Sequence, residues 1–272
     1  MLVDDPKATV TKDGIRIYNT TSDFDGIRKS CQVTAQILDE VAEHVAPGKT
    51  TLELEYFIAK RVEELGATSA TIGYRGYSHA SCISVNHVVC HGIPGDKKLK
   101  DGDVLNIDVT VIVDGWFGDS SRMYVAGSLP RKAERLIEVT HDALMIGIET
   151  VKPGNTFGDI GHAIQKFVEG NRMSVVRDFC GHGVGRVFHA PPNVLHYGRA
   201  GSGAVLEEGM IFTIEPMVNL GRADTKVLAD DWTAVTRDKS LSAQFEHCVG
   251  VTASGCEIFT TSPTGKFYPT WG

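Results

Sequence analysis

Val45-Ala46-Pro47-Gly48-Lys49-Thr50, running on to Val62-Glu63, is written again as Val151-Lys152-Pro153-Gly154-Asn155-Thr156, running on to Val168-Glu169. The offset from Gly48 to Gly154 is 106 positions. A second pair follows. Leu99-Lys100-Asp101-Gly102 leads to Ile107-Asp108, and Leu206-Glu207-Glu208-Gly209 leads to Ile214-Glu215, the offset from Asp108 to Glu215 being 107. Two matches at nearly one spacing imply two halves built on one plan. Each half delivers a carboxylate, Asp108 or Glu215, from the same point of a strand. One carboxylate per half implies a site shared between the halves.

The periodicity around these stretches supports that plan. Ile27, Cys31, Thr34, Ile37, Leu38, Val41 and Val45 carry helical spacing, which predicts a helix from about Asp23 to Ala46, stopped by Pro47-Gly48. A second helix starts after Thr50 or Thr51 as N-cap and ends near Leu65-Gly66. Short strands are expected around Ser69–Ile72 and Ser81–Asn86, with a loop at Gly73–Tyr77 between them. Val104–Val113 and Trp116–Val125 read as a hairpin closed by Asp114-Gly115. The plan then repeats, with helices over about Arg131–Val151 and Phe157–Asn171. Strands are expected near Val175–Phe179, Met210–Glu215, Thr233–Thr236 and Gln244–Val251. No linker or low-complexity segment divides the halves. The expectation is one α+β domain over residues 1–272, with an internal pseudo-repeat over about 23–125 and 131–251.

The hairpin carries a geometric argument. A two-residue turn pairs Val113 with Trp116, Ile112 with Phe117, Val111 with Gly118 and Thr110 with Asp119. Side chains alternate along a strand, so Asp108 and Asp119 become same-face diagonal neighbours, Cβ atoms about 7 Å apart or less. Two carboxylates at that range repel unless a proton or cation lies between them. Glu215 in Phe212-Thr213-Ile214-Glu215-Pro216 and Glu246 in Gln244-Phe245-Glu246-His247 are acids in apolar strand sequence. His182 stands in Cys180-Gly181-His182-Gly183-Val184-Gly185, where glycines let backbone approach closely. Four acids and a histidine in such frames point to a buried cation site. Four carboxylates balance two divalent ions. Oxygen ligands with one imidazole favour Mn, Fe or Co over a thiolate-type zinc site, and Co, Mn, Fe or Zn is the set left open. Two such ions can share a water, lower its pKa and polarise a carbonyl. His91 in Cys90-His91-Gly92-Ile93-Pro94 and His189 in Phe188-His189-Ala190-Pro191 hold loosely equivalent places in the two halves. They suit hydrogen bonding to a substrate carbonyl or tetrahedral intermediate. His79, His87, His141, His162, His196 and His247 have no such context and read as ordinary histidines.

Composition bounds the alternatives. The 272 residues carry a net charge of −7, with 42% hydrophobic and 22% charged residues. That acidic balance argues against a nucleic-acid substrate, whose phosphates need Lys and Arg. No apolar run is long enough to span a membrane. Met1-Leu2-Val3-Asp4-Asp5 does not read as a signal peptide, and six cysteines without a C-x-x-C pair read as reduced thiols, so a cytoplasmic protein is expected. Gly48-Lys49-Thr50 lacks the first glycine of a phosphate loop, Glu43 standing there. Cys90-His91 is a poor nucleophile pair, because adjacent extended residues point apart.

From about Asp23 to Thr261 the chain resembles a type I methionine aminopeptidase of the pita-bread metallopeptidase family. The motifs that carry the resemblance are Val89-Cys90-His91-Gly92-Ile93-Pro94, Asn106-Ile107-Asp108-Val109, Gly118-Asp119-Ser120-Ser121, Cys180-Gly181-His182-Gly183-Val184-Gly185, Thr213-Ile214-Glu215-Pro216 and Ser242-Ala243-Gln244-Phe245-Glu246-His247. The resemblance implies a pita-bread fold, two pseudo-symmetric halves with antiparallel sheet covered by helices. It implies removal of the N-terminal methionine of nascent peptides by two-metal-activated hydroxide attack, when the second residue is small. Asp108 would be a bidentate ligand of one metal, Asp119 and Glu246 would bridge both, and His182 and Glu215 would bind the other. Glu215 would also be the general base. His91 and His189 would steady the peptide and its intermediate, and Tyr74, Tyr77, Cys82, Phe188 and Trp232 would line the methionine pocket. A monomer, a transient ribosome contact and the bacterial short form are further implications. His87, Thr71 and Ala190 depart from the pattern at the pocket rim, and none is an implied ligand. The rival readings are an X-Pro peptidase on the same fold, which usually carries a large amino-terminal domain, a binding protein with a dead site, which typically loses ligands, and a two-metal phosphoesterase, which needs more cations than Arg122 and Arg186.

Overall fold

The computed structural model describes residues 9–266. The Met1–Asp5 segment, read above as lacking a signal sequence, lies outside them. Four α-helices occur among the described residues: α1 (Ser22–Val41), α2 (Thr51–Glu64), α3 (Arg131–Glu149) and α4 (Phe157–Gly170).

The two Pro-Gly-x-Thr stretches do the same work in each half. Gly48 (φ 89°) and Gly154 (φ 91°) both take the left-handed conformation that glycine adopts without steric cost. Gly48 N–H donates to the Leu99 carbonyl and Gly154 N–H to the Leu206 carbonyl. Thr50 and Thr156 then close matching capping boxes with Glu53 and Asp159. Each half thus feeds its second helix from the same turn. The first helix is shorter than its apolar spacing predicts. Regular α geometry ends at Val41, and Ala42–His44 tightens into a 3-10 turn before Pro47.

The hairpin forms as the sequence predicts, one residue longer at each outer end. Asp103–Val113 pairs with Trp116–Ala126 in the register Val113–Trp116, Ile112–Phe117, Val111–Gly118 and Thr110–Asp119. Asp114 (φ 52°) and Gly115 (φ 78°) both have positive φ, the backbone of a tight hairpin turn that matches strand twist. Ser81–Val85 flanks the hairpin on the Asp103–Val113 side, and α1 and α2 cover the sheet through Ile37, Leu38, Leu54, Ile58, Ile107 and Val109. In the second half, Ala190–Val194, Gly181–Gly183, Ile211–Ile214, His247–Val251 and Cys256–Ile258 form an antiparallel sheet in that order. Helices α3 and α4 pack on this half through Leu136, Ile137, Ile160, Ile164, Phe212 and Val249. A third cluster, including Phe24, Cys31, Trp116, Val184 and Cys248, fills the seam between the halves. All pairings recorded among these strands are antiparallel.

Several strands differ from expectation. Gln244–Val251 is two strands, Ser242–Gln244 and His247–Val251, separated at Phe245-Glu246. Glu246 meets the other half instead, through a bridge to Ser121. The Met210–Glu215 strand stops at Ile214, so Glu215 lies in the gap before Met217–Asn219. Pro216 has no N–H to donate, which ends the ladder there. Both second-half acids therefore stand at breaks, not inside strands. In place of Ser69–Ile72 and Val175–Phe179 stand two-residue strands that begin one residue earlier, Thr68–Ser69 and Ser174–Val175, and Val88–Cys90 and Gly181–Gly183 are strands that periodicity did not reveal, being too short to show a period.

One contact fixes how closely α1 lies on the hairpin. A Cβ at Gly118 would stand 2.3 Å from the Ser30 carbonyl carbon and 2.5 Å from the Cys31 nitrogen. Thr34 Oγ1 donates to the Gly118 carbonyl at 2.8 Å, which holds the two backbones in that approach. Gly118→Ala is expected to destabilise the protein by about 3 kcal/mol through overpacking, lowering Tm by roughly 6–12 °C. Thermal unfolding of the purified variant checks this, and an unchanged Tm would contradict the close-approach argument.

Candidate active site

The first half supplies two acids from the hairpin. Asp108 faces Cys82 across one strand pair and Ser121 across the other. Asp119 lies opposite Thr110, whose Oγ1 donates to Asp119 Oδ1 at 2.7 Å. That contact occupies one carboxylate oxygen and leaves Oδ2 facing His182 Nε2 at 3.4 Å.

The second half supplies the remaining groups. His182 is the centre of the short Gly181–Gly183 strand. Cβ atoms on its flanking glycines would collide with the carbonyl oxygens of Thr213 (2.3 Å) and Pro191 (2.2 Å), so only glycine lets this strand sit between its neighbours. His182 Nδ1 is 3.1 Å from the Gly183 carbonyl, which can only accept. Nδ1 therefore donates, and Nε2 points at the acids. Glu215 Oε1 is 3.7 Å from that Nε2. Thr213 Oγ1 accepts from His182 N–H (3.0 Å) and donates to Glu215 Oε1 (2.8 Å), while Gln244 Nε2 reaches Glu215 Oε2 at 3.3 Å. Glu246 is held by the hairpin of the first half. Its N–H donates to the Ser121 carbonyl at 3.0 Å, and its carbonyl accepts from Ser120 Oγ at 2.6 Å.

Asp119, His182 and Glu246 each offer one ligand atom, all within 4.8 Å of one another, and Asp119 and Glu246 are each only 3% exposed. Burial pushes Asp108 and Glu246 well above the usual carboxylate range, and Asp119 adds to both. Burial also lifts Glu215 to about 7, with His182 opposing the rise and Asp119 adding to it. His182 rises despite the depressing effect of burial, because Asp119 bonds its charged form. Acids packed this way keep protons unless a cation replaces them. The donor set of four carboxylates and one neutral imidazole fits a divalent metal on those grounds. Asp108 is partly buried and couples to the cluster through charge, with no hydrogen bond to another member.

The two sequence-predicted histidines border the cluster. His91 has φ 55° and sets its ring edge-on to Phe179 (5.5 Å between centroids) and Trp232 (6.1 Å). His189 lies 4.3 Å, ring to ring, from His182, and its Nδ1 is 2.9 Å from Tyr74 Oη. Desolvation holds both imidazoles below their ordinary value. The predicted pocket residues form two aromatic groups. Tyr74 packs on Phe188 at 5.0 Å, and Phe117 stacks on the same ring at 5.6 Å. Tyr77 packs on Trp232 at 4.8 Å, with its Oη donating to the Ser81 carbonyl. Cys82 is buried beside Asp108, and burial pushes its thiol up.

Sequence reasoning missed the groups that hold these side chains. Thr110 and Thr213 were within reach of it, because strand alternation puts them on the acid-bearing faces. His196, read as an ordinary histidine, is fully buried and accepts the Glu215 N–H on Nε2 at 3.1 Å. Burial lowers its pKa to about 3, so it is neutral. Its Nδ1 has no partner among the described residues. No local signal in Leu195-His196-Tyr197 announces this role.

Known proteins place the site in context. The chain is 53% identical over 256 residues to a methionine aminopeptidase of Rickettsia prowazekii, covering 94% of this chain and 98% of that protein. It is 49% identical over 243 residues to a methionine aminopeptidase of Escherichia coli K12, covering 89% and 92%. A crystal structure of the Rickettsia prowazekii methionine aminopeptidase superposes with a TM-score of 0.89 at 53% identity, over 90% of this chain and 99% of that one. The fold is accordingly the pita-bread fold, two pseudo-symmetric halves of antiparallel sheet covered by helices. A profile of metallopeptidase family M24 matches residues 25–253, spanning the hairpin, the Gly181–Gly183 strand and every acid of the cluster, and the chain belongs to that family.

Proposed function

We propose that the protein is a dimetal methionine aminopeptidase, which removes the N-terminal methionine of nascent peptides when the second residue is small. The observation that carries this reading is the buried convergence of Asp119, His182 and Glu246 beside the rings of Phe188 and His189, in a chain about half identical to named methionine aminopeptidases over nearly all its length. Residues 1–272 would form one catalytic domain, with the pseudo-repeat over about 23–125 and 131–251. A cytoplasmic monomer with a transient ribosome contact belongs to the same reading. Among the described residues no helix is long and apolar enough to cross a membrane.

The contacts are compatible with the following roles. Asp108, Asp119, His182, Glu215 and Glu246 would hold two divalent ions, drawn from Co, Mn, Fe or Zn. Bound there, such ions lower the pKa of water and polarise a carbonyl. The N-terminal methionine side chain would lie among Tyr74, Tyr77, Cys82, Phe188 and Trp232, where its sulfur gains favourable contacts with ring edges. Glu215 accepts a proton from the attacking water and returns it to the departing amine as the C–N bond breaks. Thr213 and Gln244 bond its two oxygens and fix their direction. A Tyr74 Oη–H donated to His189 Nδ1 would leave the His189 proton on Nε2, from which it would be donated to the oxyanion. His91 flanks the peptide from the Trp232 side.

The metal-loaded protein is expected to release methionine from Met-Ala-Ser and not to cleave an X-Pro peptide. A chelator should stop turnover and metal add-back restore it. Asp108→Asn should lower kcat/KM at least about 100-fold, a loss of roughly 2.7 kcal/mol in transition-state stabilisation, with circular dichroism unchanged. Full turnover by this variant would overturn the assignment.

The raised carboxyl pKa values fix the sign of a pH effect. In the cation-free fold these acids contribute stability below their unfolded values, and that contribution is lost as pH rises through the folded values, about 7 for Glu215. A divalent ion removes the penalty. The Tm difference between metal-loaded and chelated protein should therefore widen from about pH 5.5 to about pH 8. A difference that narrows over that range would contradict a shared carboxylate site.

A further inference from the structure

We propose that His196 is a positioning residue of this site, its ring holding the Glu215 main chain at the break between the Ile211–Ile214 and Met217–Asn219 strands. The inference rests on the reading of Glu215 as metal ligand and base. Three observations carry it.

The first concerns the acceptor. Inside a sheet the N–H of Glu215 would find a carbonyl on a neighbouring strand. Here the ladder ends at Ile214, and the partner is His196 Nε2 at 3.1 Å. A buried N–H left without an acceptor would be costly, and the chain would rotate to relieve it. Rotation of this peptide would swing the Glu215 carboxylate away from His182 and Asp119.

The second concerns the placement of the ring. Residues 195–197 lie flush against α4. A Cβ on Gly161 would stand 2.5 Å from the Tyr197 carbonyl oxygen and 2.6 Å from that of Leu195. Gln165 Oε1 accepts Gly198 N–H at 3.0 Å just beyond. The segment cannot shift toward or away from the helix, so the imidazole is presented to Glu215 from a fixed support. The same stretch of chain begins with His189 and continues through Ala190–Val194, the strand that pairs with Gly181–Gly183. One rigid run thus sets His189, His182 and, through His196, Glu215.

The third concerns what the ring gives up. Because Nε2 accepts, the proton of the neutral ring is on Nδ1, which meets no acceptor among the described residues. A leucine would fill the same space without that unpaired donor. A purely space-filling role would favour it. What leucine lacks is the acceptor on the Glu215 side. With His196, the Glu215 segment is tied at three points, its amide and both carboxylate oxygens. Groups that orient a metal ligand in this way are worth about 10–100-fold in metal affinity or activity.

The test compares the full-length wild type with His196→Leu, which removes the acceptor, and His196→Gln, whose Oε1 reaches about as far as Nε2. Mn²⁺ affinity is measured by calorimetry on the cation-free proteins, and kcat and KM on Met-Ala-Ser with Mn²⁺ present. For His196→Leu, Mn²⁺ affinity and kcat should each fall about 10–100-fold, with KM within about threefold and Tm lowered by roughly 2–12 °C, the cost of the unpaired Glu215 N–H. His196→Gln should recover most of both losses. Should the leucine variant fail to fold, His196→Asn replaces it, since its shorter amide stops short of the Glu215 N–H and should show the same losses. Wild-type affinity and kcat in the acceptor-free variant, or equal impairment of the glutamine and acceptor-free variants, would overturn the proposal. A wild type that binds Mn²⁺ but releases no methionine would instead count against the proposed function, leaving the affinity comparison to judge His196.

Discussion

Asp119, His182 and Glu246 are buried, Asp108 and Glu215 lie beside them half-buried, and the acids repel one another. Left as bare ions they would cost far more than a domain's whole stability margin. The fold tolerates the arrangement because each charge is either tied by hydrogen bonds or able to hold a proton or a cation. The seam between the halves exists around that constraint. Its lining includes apolar Phe24, Trp116, Val184 and Cys248, and Thr110, Thr213, Ser120 and Gln244 bond the acids or their backbone. The repulsion that would open an unliganded site is the attraction that would hold a divalent ion in a loaded one.

The two halves contribute unequally despite their shared plan. The first offers acids from a continuous hairpin, where the ladder itself sets their direction. The second offers acids from strand breaks, where the ladder has ended and side chains must do the fixing. Glu215 is fixed by Thr213, Gln244 and His196, and Glu246 by the opposite half through the Ser120 hydroxyl and the Ser121 carbonyl. A break frees a backbone from pleat geometry and lets a carboxylate turn toward a neighbour it could not otherwise reach. The close approach of Gly118 to α1 and of Gly181 and Gly183 to their neighbours performs the complementary task, bringing whole elements near enough for those side chains to meet.

Much of this was legible in the chain itself. The repeated Pro-Gly-x-Thr stretch announced two helix pairs, because the turn, the cap and the following apolar spacing are all local. The Asp114-Gly115 turn set the register that puts Asp108 and Asp119 on one face, because a two-residue turn leaves one pairing open. Four acids and a histidine in apolar or glycine-rich frames stood out as candidate ligands, and of these Asp119, His182 and Glu246 converge, with Glu215 beside His182. Less was legible where the signal was not local. Strands of two or three residues show no period, so Val88–Cys90 and Gly181–Gly183 passed unseen. The strand breaks at Glu215 and Glu246 were missed because apolar runs look alike whether they pair throughout or part at one residue.

His196 marks the boundary between the two kinds of information. Its sequence neighbours describe an ordinary loop histidine, and its burial and its bond to Glu215 arise from segments far apart in the chain. By itself the sequence determined the helix pairs, the hairpin register and which face of the hairpin carries Asp108 and Asp119, since propensity, turn chemistry and alternation act over a few residues. Only the tertiary structure decided which backbone amide each side chain would hold and which acids would come close to one another. Those choices depend on distances between elements, and such distances are set by packing across the seam, which no short stretch of sequence records.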